Sequence, residues 1–309
     1  LSGQPGVSDW LLRQVRTRST QFYLARADPE NRREAFTEHY EVEVHNDHPA
    51  AAGGQPSRGS ATVTLLPGDE ARAGERIAEA VFMAGLTDNA PYSLPGPEVY
   101  PQVLTSDRRL EIEPQRVVQE LADELRAAVA REPDVTLASA EFFIERRQVA
   151  LRNSRGIQAE QEGTSLLVDL VLLARDREGQ ETEAHVEVKR RDLAGVGLTA
   201  LVKRQAQYAR DTLRAAVPAT GRFAVLVTGD ALYQLLTGGG DSPFAFRSSA
   251  QARYQQLTPW EVGRSVFGEA EAMGDPLTVY ANAVLPWGTR SACFDGEGLP
   301  GRRLQLIEN

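Results

Sequence analysis

The sequence has few cysteines and no long apolar run, the features that would indicate a disulfide-rich protein or a membrane protein. It has one cysteine, Cys293, in 309 residues, so an internal disulfide framework is excluded and a reducing, cytoplasmic compartment is expected. Its longest apolar run, from Leu166 to Ala174, is interrupted by Asp169. That run is far shorter than the roughly 20 residues of a membrane-spanning helix. We therefore expect a cytoplasmic protein without a membrane segment.

Positive charge is also scarce. The 34 lysines and arginines stand against 43 aspartates and glutamates, which gives a net charge of −9 at pH 7. Proteins that bind nucleic acids normally present a basic surface, so this balance argues against a nucleic-acid partner. The apolar share of 41% is ordinary for a soluble globular protein, and the length allows two or three domains.

Residues 1–88 are predicted to form an N-terminal α/β domain. Apolar periodicity and alternation predict its elements, which are a short opening helix at Trp10–Val15, strands at Tyr40–Val44 and Ala61–Leu65, and a helix at Ala73–Ala84. Between the two strands, residues 46–59 are predicted to be a polar loop, and His45 and His48 lie on either side of its first residues. The spacing of these histidines could suit a metal, but a plain polar loop is the favoured interpretation.

The middle of the chain follows a proline-rich linker. Residues 89–106 carry four prolines, which resist helix and strand alike. Residues 107–217 are then predicted to form a central domain, with an amphipathic helix at 117–129, an antiparallel meander at 135–189 and a helix at 198–215.

Residues 218–309 are predicted to begin a third, β-rich domain. Phe223–Val227 is predicted to be a strand buried on both faces, followed by a helix at 230–236 and a glycine loop at 238–240. Residues 293–309 are predicted to form a strand, an acidic glycine turn and a second strand, with the glycines permitting the reversal. We expect this domain to be truncated. The predicted class is α/β, of the α+β kind, with an N-terminal α/β lobe and a central antiparallel sheet with helices.

Four collinear segments resemble the TldD/PmbA (TldE) family, whose members are also described as modulators of DNA gyrase. They are the linker motif at 89–95 (NAPYSLP), the Asn-Ser-x-Gly turn at 151–156 (LRNSRG), the opening of the third domain at 218–236, and the acidic turn at 293–309. The resemblance implies a dimerising, two-lobed α/β protein of the cytosol with a role in peptide processing.

Within this family TldD is a zinc metalloprotease and TldE is its partner, and together they trim unfolded peptides. TldD carries an HExxxH helix, in which two histidines on adjacent turns hold zinc and the glutamate activates water. The corresponding stretch here, at about residues 232–267, contains no histidine, and the four histidines of the chain are His39, His45, His48 and His185. The sequence thus resembles the PmbA/TldE branch. No catalytic, cofactor or metal residue is assigned, and zinc is expected in a TldD-like partner.

The resemblance also suggests where a peptide could lie. We expect an enclosed cleft in which an extended, unfolded peptide is held by strand addition, so that its backbone is recognised. The candidate residues belong to the two turn motifs and are Asn153, Ser154, Gly156, Asp295, Glu297 and Gly298. The first three are expected to form a structural turn, and the last three either line the cleft or form a purely structural hairpin.

Two alternatives remain open. Asp169, Glu187 and Lys189 have the general spacing of a PD-(D/E)xK nuclease site, in which two carboxylates hold Mg²⁺ and the lysine activates water. The same alternation also fits the polar face of a half-buried strand. In the other alternative the chain is a homodimeric peptide-binding protein without an enzymatic partner.

Overall fold

The computed structural model describes residues 1, 3–50, 54–237, 246–269, 274–275 and 277–308. These residues divide into two compact units. The first unit comprises residues 1–215 and 282–302, and the second comprises residues 216–281 and 303–309.

A six-stranded antiparallel sheet organises the first unit. Its strands are β1 (Asp9–Ala25), β2 (Asp28–His48), β3 (Ser57–Leu65), β4 (Val135–Asn153), β5 (Gln158–Arg175) and β6 (Glu181–Arg190). They lie in the order β3-β2-β1-β4-β5-β6, and each neighbouring pair is antiparallel. The sheet therefore joins strands from the predicted segment 1–88 to strands from the predicted segment 107–217.

Helices cover one face of this sheet at both ends. They are α1 (Ala73–Ala84), preceded by a 3-10 turn at Glu70–Arg72, then α2 (Arg108–Ile112), α3 (Pro114–Val129) and α4 (Leu198–Leu213). The apolar stripes of α3 and α4 pack on alternate residues of β4 and β5, among them Phe142, Leu166, Val168 and Leu170. Helix α1 packs in the same way on Val42, Val44 and Val63. Side chains alternate along a strand, so the other face of the sheet is free to receive different partners.

A smaller apolar core lies on that other face and positions the site described below. It contains Leu11 and Val15 of β1 together with Val149 and Leu151 of β4. Two segments without helix or strand cover it, because Leu94 of the proline-rich segment and Phe294 of the segment 282–302 complete the cluster. Residues 282–302 thus belong to the same compact unit as the sheet.

The second unit is smaller. Among its described residues the helices are α5 (Gly229–Thr237) and α6 (Ala250–Tyr254), and a two-stranded sheet pairs β7 (Val279–Asn282) with β8 (Arg303–Ile307). The guanidinium carbon of Arg303 lies 3.7 Å from the centre of the Tyr280 ring, which is a cation–π distance.

Several predictions from the sequence are confirmed. The chain is a mixed α/β protein with an antiparallel sheet, and residues 135–189 form the expected meander as β4, β5 and β6. The helices predicted at 73–84, 117–129, 198–215 and 230–236 are present with small shifts of their ends. Gly85 follows α1 as predicted. Within the described residues, no helix is long and apolar enough to span a membrane.

Other predictions were wrong. Trp10–Val15 is part of β1 and not a helix, because it pairs with β2 on one side and β4 on the other. Phe223–Val227 is not a buried strand: it has no strand partner among the described residues, and Leu226 is 89% exposed. Residues 303–307 pair with β7, whereas Phe294 forms only an isolated bridge with Pro300. The predicted glycine loop at 238–240 lies outside the described residues.

A substitution at Gly59 tests the close packing of β3 against the end of α1. A Cβ atom on Gly59 would stand 1.7 Å from the backbone oxygen of Ala84, so Gly59→Ala must push the helix off the sheet. We expect the free energy of unfolding to fall by about 3 kcal/mol or more in urea denaturation. Gly74→Ala is the matched control, because this position in the first turn of α1 has open space for a Cβ. It should leave the stability unchanged or raise it by up to about 1 kcal/mol. Equal effects of the two changes would contradict the described packing.

Candidate functional site

The two turn motifs meet on the sheet face that carries the smaller core. A Cβ on Gly298 of the acidic turn would lie 2.8 Å from Cδ1 of Ile157 and 3.2 Å from Cδ2 of Leu151. Gly298 also has a φ of +96°, a left-handed conformation that favours glycine, so the acidic turn rests closely on the side chains at the turn between β4 and β5. The carbonyl of Gly298 also accepts a hydrogen bond from the Tyr100 hydroxyl at 3.0 Å, which ties the turn to the proline-rich segment.

Asn153 organises the first turn. Its side-chain oxygen accepts hydrogen bonds from the backbone N–H groups of Arg155 and Ile157, both at 3.0 Å. Its amide donates to the carbonyl of Pro95 at 2.9 Å. Gly156 has a φ of +95°, a left-handed conformation that suits glycine. Asn153 thus uses its side chain to shape the turn and to attach the proline-rich segment to it.

Ser154 contacts a buried network of ion pairs through Asp9. Its hydroxyl donates to Oδ1 of Asp9 at 2.6 Å and accepts from the backbone N–H of Trp10 at 3.2 Å. The other oxygen of Asp9 accepts from Arg155 at 2.7 Å and from Arg58 at 3.0 Å. Asp9 and Arg58 are only 3% and 4% exposed. One carboxylate therefore joins β1, β3 and the Asn-Ser turn.

The surroundings of Asp9 favour its charged form. Burial by itself would raise the pKa of this carboxyl, but the hydrogen bonds from Arg155, Ser154 and Arg58 outweigh burial and hold the pKa below its usual value. Arg58 also donates from Nε to Asp47 at 2.5 Å. The pKa of Asp47 is lowered chiefly by this hydrogen bond. The guanidinium of Arg58 is thus held between two ionised carboxylates.

The two carboxylates of the acidic turn, those of Asp295 and Glu297, have different contacts. One oxygen of Asp295 accepts hydrogen bonds from the backbone N–H groups of Glu297, Gly298 and Leu299, at 3.0, 3.0 and 2.9 Å. Asp295 therefore braces its own turn. Glu297 is exposed, and no arginine or lysine of the described chain forms an ion pair with its side chain. Glu297 is the residue of this turn whose carboxylate stays available.

His45 belongs to this junction, which the sequence did not predict. The expected loop at 46–59 is wrong at both ends, because β2 continues to His48 and β3 begins at Ser57. His45 is completely buried, and its Nδ1 lies 3.3 Å from the hydroxyl of Tyr92. The two rings meet edge to face at 5.6 Å.

Glu43 and Tyr92 lie close to this histidine, and the charge of Glu297 acts on both of them. We call these four residues, Glu43, His45, Tyr92 and Glu297, the Glu43 cluster. Nε2 of His45 is 3.6 Å from Oε1 of Glu43, whose side chain is 31% exposed. Burial raises the pKa of Glu43, and the negative charge of Glu297 raises it further.

Burial also acts on the other groups of the Glu43 cluster. It lowers the pKa of His45, as does the nearby charge of Arg58, so its imidazole is neutral at pH 7. Burial raises the pKa of Tyr92, and the charges of Glu43 and Glu297 act in the same direction. For Glu43, His45 and Tyr92 alike, burial is the largest cause of the shift.

The residues of the nuclease alternative lie together but already have partners. Asp169 of β5 pairs directly with Glu187 of β6, and both lie on the face of the sheet away from the helices. Asp169 is half-exposed and lies 2.9 Å from Nε2 of His185, while Lys189 lies 3.0 Å from Glu187. Among the described residues no group of three or more His, Cys, Asp or Glu side chains is arranged to hold a metal ion.

The pH dependence of stability tests whether the surroundings of Glu43 disfavour its charged form. When the pKa of a carboxyl is higher in the folded state than in the unfolded state, the protein loses stability as the pH rises through the folded-state pKa. Glu43→Gln removes this loss, so the variant should be more stable than the unchanged protein at pH 7, and the difference should vanish near pH 4. Urea denaturation at both pH values measures it. A variant that is less stable at pH 7 would show that Glu43 is not held in an unfavourable environment.

Comparison with known proteins supports the resemblance at the level of the fold. The sequence matches no protein-family model and no curated protein. Several solved structures are similar to it, and three of them are described next. TldE from Thermococcus kodakarensis shares 20% identity, with a TM-score of 0.74 over 99% of this chain and 66% of that protein. A candidate modulator of a DNA gyrase from Thermotoga maritima shares 18% identity, with a TM-score of 0.75 over 97% of this chain and 64% of that protein.

The third similar structure is a candidate modulator of DNA gyrase from Bacteroides thetaiotaomicron. It shares 13% identity, with a TM-score of 0.75 over 98% of this chain and 66% of that protein. This chain therefore has the fold of these proteins and spans about two thirds of the length of each.

Proposed function

We propose that this chain is a TldE/PmbA-like subunit of a TldD/TldE-type system that processes peptides. The observation that carries the proposal is the superposition of 99% of the chain on a TldE, with a TM-score of 0.74. In this assignment the chain is the partner of a zinc-bearing, TldD-like protease and does not itself cleave the peptide.

The distribution of histidines supports a role without zinc. The HExxxH pattern that defines the TldD zinc helix is absent from the sequence, whose histidines are His39, His45, His48 and His185. In the structure His48 lies 3.0 Å from Asp88, and His185 lies 2.9 Å from Asp169. Each of these two histidines has a local carboxylate partner on a different strand or segment. Zinc then belongs to the partner subunit.

The junction of the turns supports a role in holding peptide. Two segments without regular structure, the proline-rich segment and the acidic turn, rise from a rigid sheet and are tied to each other through Tyr100 and Gly298. Binding residues are often found on loops that a rigid scaffold positions in this way. Tyr92 of the proline-rich segment and Glu297 of the acidic turn, together with Glu43 and His45 of β2, supply polar groups to which a peptide could be bound.

The direct test is a mixing experiment. This chain is purified alone, a homologous TldD-like chain with an intact HExxxH helix is purified alone, and the two are combined. Cleavage of an unfolded peptide is followed by mass spectrometry. We expect cleavage by the mixture only, loss of cleavage when the glutamate of the partner's HExxxH is replaced by glutamine, and a mixed dimer in light scattering. Zinc-dependent proteolysis by this chain alone would contradict the assignment.

The same samples decide between the alternatives. Peptide binding by a dimer of this chain alone, with no gain from the TldD-like partner, would favour the homodimeric binding protein. Magnesium-dependent cleavage of DNA that disappears in Lys189→Ala would favour the nuclease.

A further inference from the structure

Strand β6 forms one edge of the sheet, and β3 forms the other. The edge of β3 is partly closed, because Arg58 exchanges two backbone hydrogen bonds with Asn89 and the N–H of Ser60 donates to the hydroxyl of Thr87. Among the described residues, no segment other than β5 forms a backbone–backbone hydrogen bond with β6. The N–H and C=O groups along the outer edge of β6 can therefore receive a further strand.

Charged side chains follow β6 in alternating sign. Glu183, His185, Glu187 and Lys189 are all exposed, and they lie on the face of the sheet away from the helices. The hydrogen bond between His185 and Asp169 is the main reason that the pKa of this histidine is raised, so its positive form is favoured. From Glu183 to Lys189 the charges thus run negative, positive, negative, positive. In the reverse direction each charge is replaced by its opposite, which suits pairing of β6 with an antiparallel copy of itself.

The register that matches all four charges has Val186 opposite Val186 of a second copy. Lys189 then lies opposite Glu183 of the second copy. Glu187 lies opposite His185 of the second copy. A shift of two residues in one direction would place Glu183 opposite Glu187, and a shift of two in the other would place His185 opposite Lys189. Like charges directly opposite one another destabilise a sheet, so the order of charges selects the first register over both shifts.

We propose that β6 pairs with β6 of a second copy of this chain, so that the two sheets join into one about a two-fold axis at Val186. Such an interface is isologous, and each pair of opposite charges therefore occurs twice. Hydrogen bonds between the two backbones supply affinity, and the side-chain pairs fix the register. The interface also closes on itself, because each chain uses its only β6 edge.

Helix α4 contributes to the same surface. It lies over β5 and β6, so two copies of α4 would be about 10 Å apart, a distance at which helices pack. Arg210 of α4 pairs with Glu132, which follows α3, at 2.9 Å, so this flank of α4 faces α3. Tyr208 lies about 200° away around the helix, on the opposite flank, and is 53% exposed. Its aromatic ring is therefore on the side of α4 that the second copy would approach.

An extended peptide is the competing occupant of this edge, because strand addition recognises a backbone of any sequence. Charged side chains on an edge strand normally discourage pairing with other chains. On β6 their order instead favours one strand, the same strand of a second copy. The inference does not rest on the proposed function, since it needs neither a peptide nor a TldD-like chain.

Exchange of charges across the edge tests the proposal. Sedimentation equilibrium of the full chain on its own, at several concentrations, gives the dissociation constant of the dimer. Glu183→Lys and Lys189→Glu should each raise this constant by roughly 10- to 100-fold, because each places like charges opposite one another twice. The variant with both changes restores the opposite charges, and its constant should return to within about threefold of the original.

Glu30→Lys is the matched control. Glu30 is an exposed glutamate of β2, which lies four positions from β6 in the sheet, and its substitution changes the net charge as much as Glu183→Lys does. Its dissociation constant should be unchanged, and circular dichroism should show every variant folded, because the substituted side chains are exposed. A chain that is monomeric at every concentration would overturn the proposal. So would equal constants for all variants, or a double variant that dimerises as weakly as the single ones.

Failure of this inference can be told apart from failure of the proposed function. Self-association is measured on this chain alone, whereas the mixing experiment measures cleavage with a partner. Charge-dependent self-association without cleavage by the mixture would remove the protease partnership and leave the β6 interface. Cleavage by the mixture, with a chain that is monomeric on its own, would do the reverse.

Discussion

The structure of the candidate site depends on one buried carboxylate. Asp9 is 3% exposed and accepts hydrogen bonds from Arg58, Ser154 and Arg155, which come from β3 and from the turn between β4 and β5. A charge that has lost its water is tolerable only when donors replace the water, so these contacts must be present together. Because the donors lie 49, 145 and 146 residues from Asp9 along the chain, the network fixes contacts that the backbone alone would not specify.

The functional features follow from this constraint. With the Asn-Ser turn fixed, Ile157 and Leu151 present the surface on which Gly298 rests, and the acidic turn takes its place there. Asn153 attaches the proline-rich segment to the same turn. Tyr92 and Glu297 of the Glu43 cluster then belong to two segments that are each held by hydrogen bonds to the sheet or to one another. A subunit that holds an extended peptide needs such a preorganised site, because ordering loops at the moment of binding reduces affinity.

The sequence predicted what short-range patterns determine. The amphipathic stripes of α3 and α4 repeat within a few residues, and so does the alternation in β4 and β5, and these elements were found. Trp10–Val15 was misassigned because its apolar spacing fits one turn of helix, while its strand partners Arg152 and Val44 are far away in sequence. The turn residues Asn153 and Gly298 were identified as candidates through the family resemblance. Asp9 and Arg58 were missed, and His45 was considered only with His48 as a possible metal pair, because only the pairing of distant strands brings Asp9, Arg58 and His45 together.

The most direct test of this account is the stability of Asp9→Asn, which keeps the shape of the side chain and removes its charge. Arg58 keeps Asp47 but loses one of its two carboxylate partners, so the free energy of unfolding at pH 7 should fall by about 2–3 kcal/mol in urea denaturation. The pKa of Asp9 is lowered in the folded state, so its contribution is present above the ordinary value of 3.8 and is lost as the pH falls through the folded-state pKa. The difference between the two proteins should therefore shrink in acid. A cost below about 1 kcal/mol that does not change with pH would contradict the central place given to this carboxylate.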